Sequence, residues 1–208
     1  VPLQNRVLPT QEIVAEPGRG LLMGNRGTLH GPDRRLGTTR WRSKAWICCV
    51  LDWKGVRRDP MPPGRWTALF FFDEAVALAA GHRPCAYCRR RDYLRYAGAW
   101  ASGRGLDERP RATAMDAQLH LERVDSRTRQ QRTTIQELDQ LPDGAMIRFD
   151  GRPALVLDHH VLPWSWEGYG DPVRPPGLHE VAVLTPPANL VALKAGFIPL
   201  LHSTALGN

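Results

Sequence analysis

Apolar residues along this chain come in short bursts set between glycines, prolines and charges, and the spacing inside each burst predicts an element. KAWICCVLDW at 44–53 is almost continuously apolar, with aromatic and β-branched side chains, and reads as a buried strand. Lys54-Gly55 gives a turn, and RWTALFFF at 65–72 reads as a second strand that pairs with the first in a long-looped hairpin. Asp73 is a good N-cap for the helical EAVALAA, and Gly81 is the expected left-handed stop. Pro84 keeps the chain extended, after which a helix beginning near Cys85 or Cys88 runs through RRRDYLRYAGAWA to about Ala101.

A linker, SGRGLDERPR, follows at 102–111, and helical patterns resume at 112–124 and at 129–140, the second strongly polar. From Leu141 the period changes to that of strands. AMIRFDGRPALVLD carries Asp150-Gly151 between two apolar stretches, a strong hairpin signal, and HVLPWSWEGYG and EVAVL are further strand segments. Thr185, Pro186 and Pro187 open a last helix, ANLVALKA, closed by Gly196. The opening stretch to residue 37 is rich in turns and is expected to be irregular. Its PGRGLLMGNRG lacks the strand-to-helix setting and the GK[ST] ending of a phosphate loop.

The expected class is therefore α+β: a strand-helix module over 1–103, a helical connector over 104–140, and a small β-rich unit over 141–208 ending in a helix. A chain of 208 residues is long enough to bury a real core. No apolar run reaches the roughly 20 residues needed to cross a bilayer, and the start lacks a signal-peptide pattern. A cytoplasmic protein without a membrane partner is the expectation.

Charge sharpens this picture. The net charge of +7 is uneven: residues 1–103 sum to +9 and residues 104–208 to −2. One basic face suited to a polyanion is the functional reading, and plain solubility of an arginine-rich chain is the other.

GHRPCAYCRR at 81–90 brings in chemistry. Two residues between Cys85 and Cys88 let both sulfurs approach one ion from a tight turn, so C-x-x-C is a common zinc half-site. The helix start and the arginines at 89–91 both favour the thiolate that a metal needs. Cys48 and Cys49 lie upstream on a strand, where neighbours point to opposite faces, so one of them is expected to bind and the other to pack in the core. A histidine, with His30 foremost, would complete a Cys3His site. A redox pair fits less well, because the motif follows a helix where a thioredoxin-like site follows a strand.

The stretch FFFDEAVALAAGHRPCAYCRR, within residues 66–92, resembles the N-terminal zinc domain of the Ada DNA-repair family in its helix, glycine stop, Arg-Pro and C-x-x-C order. That family binds zinc through four cysteines, one of which takes a methyl group from a DNA phosphotriester. The resemblance implies Cys85 and Cys88 as zinc ligands, Arg83 in the same turn, and DNA as partner. The family separates its upstream cysteines by three residues, whereas Cys48 and Cys49 are adjacent.

Arg57, Arg58, Arg65, Arg83, Arg89, Arg90, Arg91 and Arg95 gather around this segment, interleaved with Trp46, Trp53, Trp66, Tyr87, Tyr93 and Tyr96. Arginine on phosphate with aromatics stacked on bases is the usual chemistry of single-stranded or distorted nucleic acid, and a solvated helix over an aromatic core is the structural alternative. In MDAQLHLER, Asp116 and His120 stand four apart with Glu122 beside them, an acid-base set if the protein is an enzyme and a surface ion-pair pattern otherwise. Asp158, His159 and His160 are read as a strand triplet whose side chains diverge. Together these features lead to the expectation of a zinc-containing nucleic-acid-binding protein, DNA before RNA, acting in DNA repair or modification. The other expectation is a metal-supported hydrolase or transferase acting on a nucleotide-like anion.

Overall fold

The computed structural model describes residues 2–56, 59–175 and 180–207. It is an α+β protein, with two six-stranded sheets among the described residues. The first sheet is built from β1 (Gln4–Val7), β2 (Ile13–Ala15), β3 (Leu22–Asn25), β4 (Ile47–Val50), β5 (Leu69–Phe71) and β6 (Arg83–Pro84), in the order β2-β1-β5-β3-β4-β6. β1 lies parallel to β5 and β6 parallel to β4, and the other pairs are antiparallel.

Two expectations are corrected here. The turn-rich opening supplies three strands, and β3 inserts between β4 and β5, which therefore do not form a hairpin with each other. Gly24 is what admits β3: a Cβ there would lie 2.0 Å from the Ile47 carbonyl oxygen.

α1 (Glu74–Ala79) leaves β5 under the predicted cap, with Asp73 Oδ1 accepting from the Val76 N–H at 3.0 Å, and it ends at Gly81 with φ +80°. All six of its residues are buried, which explains why its sequence is apolar and alanine-rich on every side. Ala77 and Ala80 pack on Val7, Leu22, Leu69 and Phe71 of the first sheet. Val76 and Ala79 pack on Met146, Leu155 and Leu162 of the second. α2 (Arg90–Gly103) and α3 (Ala112–Arg123) follow, the former burying Tyr93, Tyr96 and Trp100 as its apolar spacing requires.

The second sheet comprises β7 (Thr134–Glu137), β8 (Met146–Phe149), β9 (Arg152–Leu157), β10 (His160–Ser165), β11 (Gly168–Tyr169) and β12 (Glu180–Val183), ordered β11-β10-β9-β8-β12-β7. Asp150 (φ +46°) and Gly151 (φ +74°) make the predicted tight turn between β8 and β9. The polar segment expected to be helical at 129–140 is instead the edge strand β7 with a short 3-10 turn, tied to β12 from Thr134 to Glu137. Asp158 and His159, both at positive φ, form the turn from β9 to β10 instead of lying within one strand. α4 (Pro187–Lys194) closes the fold against α2 and α3. One buried cluster joins Leu78 of α1, Tyr96 of α2, Leu119 of α3, Val156 of β9 and Leu190 of α4, so the core runs across positions 103 and 140. Among the described residues no helix is long and apolar enough to cross a membrane.

Candidate metal centre

Alternation along β4 decides which thiol faces which side. Cys48 turns inward, packing with Leu22, Leu69 and Phe71. Cys49 turns to the opposite face, where it meets Met23, Ala68 and Cys85, with Phe70, Trp66 and Cys88 at the margin. The register sets Met23 of β3 directly across from Cys49. β6 then runs parallel to β4, pairing Pro84 with Cys48, and the Cys85 N–H donates to the Cys48 carbonyl at 2.9 Å. This pairing places the C-x-x-C turn beside Cys49. Inside the turn the Tyr87 N–H donates to Cys85 Sγ at 3.4 Å, and the Arg89 N–H donates to the Cys85 carbonyl at 3.2 Å.

The result is a three-sulfur cluster: the Sγ atoms of Cys49, Cys85 and Cys88 all lie within 4.8 Å of one another, close enough to hold a metal ion. For comparison, tetrahedral zinc with bonds of about 2.3 Å sets its sulfurs about 3.8 Å apart. Cys85 is pulled well down, chiefly by the Cys49 and Cys88 thiols donating to its sulfur and then by backbone N–H groups, against the opposing effect of burial. Cys49 is pushed far up, because it donates to the other two sulfurs and is buried as well. One negative charge is thus readily held among three sulfurs, and a further ionisation needs a cation between them.

Two of the five expected ligands lie elsewhere. Cys48 Sγ accepts from Arg89 Nη1 at 3.0 Å, and burial pushes its thiol up, so it is one of the core's small hydrophobes. His30 is held by Thr67 Oγ1 at 2.6 Å on Nδ1 and by the Pro62 carbonyl at 3.1 Å on Nε2, so both ring nitrogens are engaged. Because the Pro62 carbonyl can only accept, Nε2–H donates to it, and Nδ1 of the neutral ring accepts from the Thr67 hydroxyl, which itself accepts from the Leu29 N–H.

The arginines divide into two groups. Arg83 grips Asp116 with two bonds, Nε to Oδ1 at 2.8 Å and Nη2 to Oδ2 at 2.7 Å, and is buried. Arg89 grips Glu74 of α1 at 2.6 and 2.9 Å and also reaches Asp92 at 2.9 Å. These two brace the C-x-x-C turn from both ends and do not reach solvent, contrary to the expectation that they face a polyanion. Arg65, Arg90, Arg91 and Arg95 are exposed. Arg57 and Arg58 lie outside the described residues.

Between the cysteines, Tyr87 is 70 % exposed, and its ring packs 5.4 Å from that of Trp53, over which Lys54 Nζ lies at 5.5 Å. An aromatic pair, Tyr87 exposed and Trp53 half-buried, therefore sits beside the thiol cluster with one cation, Lys54, over it.

The expected acid-base set does not converge. Asp116 belongs to Arg83, and Glu122 accepts from the Ala188 N–H at 2.7 Å and from Gln118 at 2.6 Å. His120 stacks edge-on against Trp41, and burial followed by Arg123 and Lys44 lowers its basicity. No family model, curated protein or solved structure matches the chain.

Proposed function

We propose that Cys49, Cys85 and Cys88 hold zinc, and that the ion braces a surface that binds nucleic acid, DNA in preference to RNA. The observation that carries the metal is the convergence of three sulfurs from two separate segments on one partly open point. An all-sulfur donor set suits zinc among the common divalent ions, and the fourth position, toward the less buried Cys88, is left to water or an incoming donor. Holding the turn fixes Tyr87 beside Trp53, and the exposed Arg90 and Arg91 follow three and four residues later at the start of α2. Stacking platforms interleaved with cations are what single-stranded or distorted nucleic acid requires. The resemblance of residues 66–92 to the Ada-type domain adds DNA repair or modification as the setting.

Fluorescence anisotropy with a labelled single-stranded DNA tests this across a salt series. Binding should weaken steeply with salt, and replacing Arg90 and Arg91 by alanine should flatten the log-log slope by about 0.7 for each phosphate no longer neutralised. Tyr87→Ala should cost about 1–3 kcal/mol of affinity, as removal of one stacking platform does. Binding indifferent to salt and to all three substitutions would defeat the reading.

A further inference from the structure

A cleft of about 540 Å³ lies apart from the thiol cluster, none of whose three cysteines lines it. Arg26, Arg40, Trp41 and Trp46 line it from the first half of the chain, and Arg129 and Arg148 from the second. The carboxylate on its wall is Glu12, which is exposed and accepts from the Thr10 hydroxyl at 3.1 Å. Arg26 is 1 % exposed, and none of the ion pairs among the described residues includes it. Its Nε donates to His82 Nε2 at 3.3 Å and its Nη1 to the Gln11 carbonyl at 3.2 Å, while Nη2 has no partner among the described residues.

A second buried guanidinium, Arg123, also leaves its Nε unpartnered, and the two carbons Cζ stand 4.0 and 3.8 Å from the ring of Trp46. Burial, then Arg123, then Arg40 hold the basicity of Arg26 well below its ordinary value. A buried cation without a counterion is costly, and the protein retains one at a cleft whose other cations are also arginines.

We infer that this cleft binds a phosphate monoester carried on a flat heteroaromatic base, that is, a nucleotide, either free or at the end of a strand. The phosphate would complete the hydrogen bonding of Arg26 and answer the charges of Arg40 and Arg129. The half-buried indole of Trp41 offers a surface for the base. The volume suits a small ligand of this size. The site rests on neither the thiols nor the Tyr87 surface.

Calorimetric titration of the full chain with adenosine monophosphate, adenosine and inorganic phosphate tests the inference. The monophosphate should bind at least tenfold more tightly than either fragment. Arg26→Met should weaken it at least tenfold, and the exposed-site variant Arg129→Ala at least threefold. Without ligand, Arg26→Met should melt no lower than the wild type, since it removes an uncompensated charge. A 5′-phosphorylated oligonucleotide that competes where its unphosphorylated twin does not marks the strand end as the source, and failure of both to compete marks the free nucleotide. Tyr87→Ala should leave monophosphate binding intact, which keeps this site distinct from the proposed strand-binding surface. No saturable binding at millimolar monophosphate, equal affinity for inorganic phosphate, or affinity unchanged in both arginine variants would overturn the inference.

Discussion

Arg89→Met removes one half of a buried ion pair and leaves the Glu74 carboxylate stranded. In the wild type the two side chains are 4 % and 1 % exposed and share bonds of 2.6 and 2.9 Å. After the change, that carboxylate keeps the Leu200 N–H, which donates to Oε2 at 2.9 Å. Truncating one member of such a pair costs about 3–5 kcal/mol, mostly the penalty of the uncompensated charge. That is roughly two to nearly four orders of magnitude in the folding equilibrium. Urea denaturation followed by far-UV circular dichroism measures it, provided the slope stays constant. Adding Glu74→Gln to the variant removes the stranded charge and should recover at least half of the loss. Nucleic-acid affinity measured well below the transition should stay within about twofold, because Arg89 faces inward. A variant within about 1 kcal/mol of the wild type, or one of full stability that loses nucleic-acid binding, would refute the reasoning.

Three further outcomes are expected. Burial lifts the Asp73 carboxyl from 3.8 to about 6 despite bonds from Val76, Tyr169 and His202. Its folded form therefore keeps a proton that the unfolded chain has released, so stability should fall by up to roughly 3 kcal/mol as pH rises from about 4 through 6, and Asp73→Asn should flatten that portion of a stability-pH curve. Gly81→Ala places a Cβ 2.5 Å from Arg123 Cδ at φ +80°, and thermal melts should show a loss of at least about 2 kcal/mol. Asp116→Asn strands Arg83 and should lower the urea midpoint, with no effect on nucleic-acid binding that persists once stability is matched by temperature.

Local chemistry made α1 and the β8–β9 turn legible, because Asp73, Gly81 and Asp150-Gly151 carry their conformations in their own residue types. The C-x-x-C half-site was legible for the same reason. Alternation foretold that only one of Cys48 and Cys49 would join it. Which one depends on the face that α1 covers, and α1 is contributed by a later segment. β1 to β3 escaped because three- and four-residue strands flanked by turns have too few positions for a period, and β5, which β1 and β3 both pair with, is distant in sequence. β7 imitated a helix because as an edge strand it exposes Ile135 and surrounds it with polar side chains. The roles of Arg83 and Arg89 were hidden since Asp116 and Glu74 stand 33 and 15 residues away. The buried Arg26, which has no carboxylate partner among the described residues, has no sequence signal at all, as that feature is defined by what fails to surround it.

Metal stoichiometry by native mass spectrometry, on the wild type and on the Cys48→Ala and Cys49→Ser variants, bears most directly on the centre. The wild type and Cys48→Ala should each carry a single zinc, and Cys49→Ser should carry none. A metal-free wild type, or zinc that survives Cys49→Ser and is lost from Cys48→Ala, would contradict the arrangement of sulfurs on which the proposed function depends.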